Sequence, residues 1–165
     1  VIRNNNREMK FLGGIVALRG GVDGIALGPE WLYYGAISGS RLYRVPLSSL
    51  RDASLPERQL LNRVERIADK PLSDGMSLDV DGNVYVTDIE HSSVFVVNPE
   101  RELKTLIQSE NVRWADALSF GPEGYLYLAD SALSELILQS REHIDTQGPY
   151  RIFRFKPGVE GVPGQ

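Results

Sequence analysis

Three segments of the chain repeat one pattern, and no other feature of the sequence constrains the fold as much. They are "VDGIALGPEWLYYGA" from Val22, "SDGMSLDVDGNVYVTD" from Ser73 and "ADALSFGPEGYLYLAD" from Ala115. Each opens on an aspartate followed by a small residue: Asp23-Gly24, Asp74-Gly75 and Asp116-Ala117. A short apolar strand comes next, then a turn built from Gly, Pro, Asp or Glu, then an alternating strand with a tyrosine near its start. The three aspartates lie 51 and 42 residues apart. A period of roughly 40 to 50 residues with several short strands per unit is the signature of a β-propeller blade.

The spacing predicts an all-β chain of about three blades of four antiparallel strands, which two copies in a two-fold dimer would complete as a six-bladed propeller. The reading treats residues 1–165 as a single partial or half-propeller domain. Innermost strands are predicted at Ile25–Leu27, Met76–Leu78 and Leu118–Phe120, and second strands at Trp31–Tyr34, Asn83–Thr87 and Tyr125–Ala129. Third strands are predicted at Arg41–Val45, Ser93–Val97 and Tyr150–Phe155, and one outer strand at Leu103–Ile107. One or two short helical insertions interrupt the pattern. Ser54 with Glu57 forms a capping-box pattern ahead of "RQLLNRVERI", and "LSELILQSREHI" from Leu133 has apolar residues at helical spacing. Propellers close with about four to eight blades, so three blades require a second half-propeller, supplied by a missing segment or by a second copy in a two-fold dimer.

Composition narrows the chemistry. The chain of 165 residues has no cysteine, which removes disulfides, thiolate metal sites and thiol catalysis. A net charge of −4 argues against a nucleic-acid partner, since phosphate binding calls for a basic face. No apolar run reaches the roughly 20 residues of a membrane span, and no signal-like segment is present. With Val1 rather than Met at its start, the chain reads as a processed product or a piece of a longer one.

In a blade, the start of the first strand and the end of the second lie at one face. That face is predicted to carry Asp23, Asp74 and Asp116 from strand starts. It also carries Asp88, Glu90 and His91 from one following loop and Asp130 from another. Ala36 stands where Asp88 and Asp130 stand in the other repeats. Carboxylates from successive blades at one mouth suit a hard cation such as calcium or another divalent metal, with Asp74 and Asp116 as candidate ligands. Taken singly, each of these aspartates reads first as a strand-start turn bonded to nearby backbone N–H groups. His91, beside Asp88 and Glu90, is a candidate general base, with Asp88 as its catalytic companion. Trp114, two residues before Asp116, is the aromatic expected to face the channel, or else to anchor the core. Asp79, Asp81, Asn83 and Glu90 mimic an EF-hand spacing, but Val84 occupies the position that needs glycine. Asp81-Gly82 reads instead as a two-residue hairpin turn.

The segments "ALRGGVDGIALGPEWLYYGAISGSRLYRVP", "DKPLSDGMSLDVDGNVYVTDIEHSSV" and "ADALSFGPEGYLYLADS", with "PYRIFRF" beyond them, resemble the yellow / major royal jelly protein family in its bacterial branch. The resemblance runs from about Ala17 to Phe155 and matches the C-terminal half of the family pattern. It implies a six-bladed propeller related to the senescence-marker/gluconolactonase propellers, which bind calcium in their channel. Asp74 matches the Asp-Gly strand start whose aspartate is a metal ligand in those proteins. Some insect members bind biogenic amines, so the resemblance implies small-molecule, amine-type binding at a carboxylate-rich mouth formed by Asp23, Asp74, Glu90, Trp114, Asp116 and Asp130. Two alternatives remain: a calcium-dependent hydrolase of the lactonase type, and an interaction propeller without catalysis. The family also suggests a secreted or periplasmic protein.

Overall fold

A computed structural model of the chain describes residues 1–164. Two small hairpins come first, β1 (Arg3–Asn4) with β2 (Arg7–Glu8) and β3 (Lys10–Phe11) with β4 (Val16–Ala17). Three antiparallel meanders follow. The first comprises β5 (Val22–Leu27), β6 (Trp31–Ala36), β7 (Arg41–Pro46) and β8 (Glu65–Asp69). The second comprises β9 (Met76–Leu78), β10 (Val84–Asp88), β11 (Ser93–Val97) and β12 (Leu103–Gln108), and the third β13 (Ala115–Phe120), β14 (Leu126–Asp130) and β15 (Arg151–Phe155). The third sheet has three strands among the described residues, one fewer than its neighbours.

Period-two alternation explains how the sheets stack. Val84 and Val86 on β10 pack with Ala26, Tyr33 and Leu42 of the first sheet. Tyr85, between them, turns the other way into a cluster with Leu118, Leu126 and Leu128 of the third sheet. The middle sheet is therefore covered on both faces, and every residue of β10 is buried. A third cluster seats the N-terminal hairpins: Ile2 and Met9 pack on Ile37, Ile89 and Trp114.

Several local expectations change. The stretch after Ser54 is helical only over α2 (Glu57–Leu61), and the chain then extends into β8. The capping box does not form, because Pro56 is the N-cap and the Ser54 hydroxyl donates to Asp52. A second short helix, α1 (Leu47–Arg51), precedes it. The stretch from Leu133 is not one helix: a 3-10 turn at Leu133–Glu135 is followed by α3 (Arg141–Asp145), capped by the Ser140 hydroxyl. The turn between β9 and β10 is wider than two residues. It folds around the Asp79 carboxylate, which accepts from the backbone N–H groups of Asp81 and Asn83 at 3.0 and 2.8 Å, while Gly82 takes a φ of 86° that favours glycine. No helix among the described residues is long and apolar enough to cross a membrane.

Candidate functional site

The repeated aspartates stand at the starts of the three inner strands. In the first sheet the register slips between Val22 and Ile25, and in the third between Ala115 and Leu118. Asp23-Gly24 and Asp116-Ala117 fall inside these bulges. In the second sheet Asp74-Gly75 lies just ahead of β9, where the N–H groups of both residues donate to the Thr87 hydroxyl at 3.0 Å. A bulge re-aims the side chains it carries, here Asp23 and Asp116.

Small residues then let the inner strands approach. A Cβ at Gly24 would lie 2.7 Å from the Asp74 carbonyl oxygen, and one at Gly75 would run into the Asp116 carbonyl. As a result Asp23, Asp74 and Asp116 line one cleft of about 220 Å³, open to solvent, with Gly24, Gly75 and Ala117 between them.

Asp74 is the perturbed member. Burial pushes its carboxyl up to about 6, and the neighbouring Asp116 and Asp23 push in the same direction. The opposing influence is the Trp114 indole, which donates to Asp74 Oδ2 at 2.7 Å. Of the two readings of Trp114, the structure shows the core anchor. Its ring is wholly buried in the core under the N-terminal hairpins, and it touches the cleft only through its bond to Asp74.

Asp88 and Asp130 are placed differently. Asp88 is fully buried, and its carboxylate accepts from the Glu90 and His91 backbone N–H groups and from the Ser93 hydroxyl, at 2.9, 3.0 and 3.1 Å. His91 Nδ1 lies 2.9 Å from the same carboxylate, with the ring half exposed. Asp130, equally buried, accepts from the backbone N–H groups of Arg113 and Trp114 and from the Arg113 guanidinium, all at 2.9 Å. Arg113 also donates to the carbonyls of Gln147 and Pro149. Asp88 binds its own loop, Asp130 the segment ahead of β13, and neither lines the cleft. Glu90 and His91 line a separate pocket with the N-terminal hairpin.

Where the first sheet has Ala36, a buried lysine takes over. Lys70 Nζ donates to the carbonyls of Ala36, Gly39 and Pro71 at 2.9, 2.9 and 3.0 Å. Burial pulls its ammonium down to about 8 while the Asp88 charge works against that. Gly35 leaves the space that the lysine stem fills. Sequence reasoning missed both Lys70 and Arg113. A signal was present: a basic residue stands three or four positions ahead of each repeat aspartate, at Arg19, Lys70 and Arg113.

A metal requires more than this cleft offers. Among the described residues no group of three or more His, Asp or Glu side chains is arranged to hold a metal ion. Asp74 and Asp116 share the cleft without closing on a common ligand sphere.

Comparison with known proteins follows the fold. The sequence profile described as major royal jelly protein matches residues 6–146. No curated protein sequence matches the chain. Among solved structures, a gluconolactonase from Xanthomonas campestris superposes with a TM-score of 0.59 at 12% identity, over 87% of this chain and 46% of that one. A luciferin-regenerating enzyme gives 0.60 at 19% identity, over 86% and 47%. Regucalcin from Agrobacterium tumefaciens, described as a calcium-binding protein, gives 0.56 at 20% identity, over 85% and 46%. At these identities the likeness is one of fold, the β-propeller. The chain spans just under half the length of the propellers it matches.

Proposed function

Because the chain belongs to the major royal jelly protein family, we propose that it is a small-molecule binding β-propeller whose aspartate cleft takes a compact cationic ligand of the amine type. The observation that carries this reading is the shared cleft of Asp23, Asp74 and Asp116. Burial and its two acidic neighbours raise the Asp74 carboxyl to about 6. A bound ammonium group offsets that repulsion and supplies the hydrogen-bond donors that the carboxylates lack.

At about 220 Å³ the cleft is smaller than the roughly 300–1,000 Å³ of complete small-molecule sites. That size fits a site finished by a second half-ring, either further blades or a second copy of the chain. The exposed Ile25 and Leu27 on the inner strand of the first sheet fit the same picture. Solution mass distinguishes the two sources.

The test is calorimetric titration with tyramine and dopamine, on the wild type and on Asp74→Asn. Saturable binding lost in the variant supports the proposal, and flat titrations remove it. A calcium-dependent rise in melting temperature that Asp74→Asn abolishes, without amine binding, would favour the metal-dependent hydrolase instead.

A further inference from the structure

A second cavity lies apart from the aspartate cleft and is larger than it. It measures about 700 Å³ and lies where the turn between β1 and β2 meets the loops after β10 and β12. Its lining contains no apolar side chain: amides and hydroxyls come from Asn5, Asn6, Gln108 and Ser109, and carboxylates from Glu90 and Glu110. Ligand pockets of this size are ordinarily lined mainly by apolar and aromatic groups, so the occupant of this one must itself be polar over most of its surface.

The walls are tied together. The Asn5 backbone N–H donates to the Glu90 carbonyl at 3.1 Å, and the Ser109 N–H to the Ser92 carbonyl at 3.0 Å. Gln108 Nε2 donates to the His91 carbonyl at 3.0 Å. Into this frame projects His91, whose Nδ1 meets the buried Asp88 carboxylate at 2.9 Å. An ionised carboxylate only accepts, so in the neutral ring the proton belongs on Nδ1 and Nε2 is the acceptor. The pocket thus mixes acceptors (His91 Nε2, Glu90, Glu110) with groups that donate (Asn5, Asn6), the combination that matches a hydroxyl, which does both.

We propose that the Asp88–His91 pair serves a second binding pocket, separate from the aspartate cleft, for a polyhydroxylated small molecule of the sugar or polyol kind. Asp88 acts as a positioning residue and His91 as the acceptor for a ligand hydroxyl.

The chain has two histidines, so the His91 ring signals can be followed by NMR with a His143→Ala variant for assignment. Glucose, galactose and myo-inositol serve as probes. The expected result is a saturable shift of the His91 ring signals by at least one probe. His91→Ala should weaken calorimetric affinity about tenfold, the loss of one good hydrogen bond, and Asn6→Ala should weaken it as well. Asp74→Asn should bind as the wild type does. His91→Ala removes an exposed ring and spares the other three donors to Asp88, so it keeps the fold. The proposal is overturned if no probe moves the His91 signals, if His91→Ala binds as tightly as the wild type, or if Asp74→Asn abolishes binding.

Discussion

Trp114 and Asp74, 40 positions apart in sequence, meet through an indole N–H that donates to the carboxylate at 2.7 Å. The bond joins the buried cluster beneath the N-terminal hairpins to the cleft between the inner strands. Trp114→Phe keeps most of the apolar volume but removes the donor. It should destabilise the protein by about 1–3 kcal/mol and move the Asp74 titration further above its present value of about 6. Denaturant unfolding measures the first effect, and carboxyl-detected NMR titration the second. An unmoved Asp74 titration would refute the electrostatic part.

Asp74 also sets a pH dependence. Its carboxyl is raised from 3.8 to about 6. Between those values the native state holds the proton and the unfolded chain does not, so the Asp74 contribution to stability falls as pH rises through that window. The difference in unfolding free energy between the wild type and Asp74→Asn should follow that trend. Cation affinity should run the other way, tight above about pH 6 and weakening below it as the carboxylate is protonated. An affinity that stays flat from pH 5 to pH 7 would count against Asp74 as the anchor.

Lys70 predicts a trend on the alkaline side. Its ammonium is lowered from 10.5 to about 8 by burial. Across that interval the unfolded chain holds more protons than the native state, so stability gains from Lys70 as pH rises from about 8 to 10.5. Chemical denaturation of the wild type and Lys70→Met at pH 7.5, 9 and 10 should show the difference moving in favour of the wild type. A constant difference would mean that the lysine titrates normally.

Asp130 and Asp23 began as equivalent candidates and should behave in opposite ways. Asp130→Ala strands a part-buried guanidinium and two backbone N–H groups, one of them in buried surroundings, and should cost about 3–5 kcal/mol. Asp23 is exposed in the cleft, and Asp23→Ala should change stability by less than about 0.5 kcal/mol while weakening cation binding. Paired unfolding curves decide it.

Gly75→Ala tests the close approach of the inner strands. The added methyl meets the Asp116 carbonyl and, at 2.8 Å, the Ala117 Cα, backbone atoms that cannot turn aside. A loss of about 1–3 kcal/mol is expected from forcing the strands apart, together with a change in cleft binding. Wild-type stability in this variant would mean that the strands are not pressed together as described.

What could be read from the linear chain is what depends on local periodicity. The spacing of Asp23, Asp74 and Asp116 and the alternation of Val84, Tyr85 and Val86 marked the blades, their inner strands and the cleft aspartates, because a two-residue period assigns faces before any partner is known. The strand Glu65–Asp69 was hidden, since "RQLLNRVERI" carries strong helix formers. Pairing with β7, and the packing of Ile67 into the core shared with the second sheet, overrode that propensity. The roles of the other acidic residues were undecided in the sequence for a different reason. An aspartate after a strand has the same local pattern whether it faces a ligand or binds its own loop. Only the tertiary structure brought Arg113 onto Asp130 and Trp114 across two sheets onto Asp74. Hydrogen-bond partners, unlike faces, are chosen by the packing of distant segments.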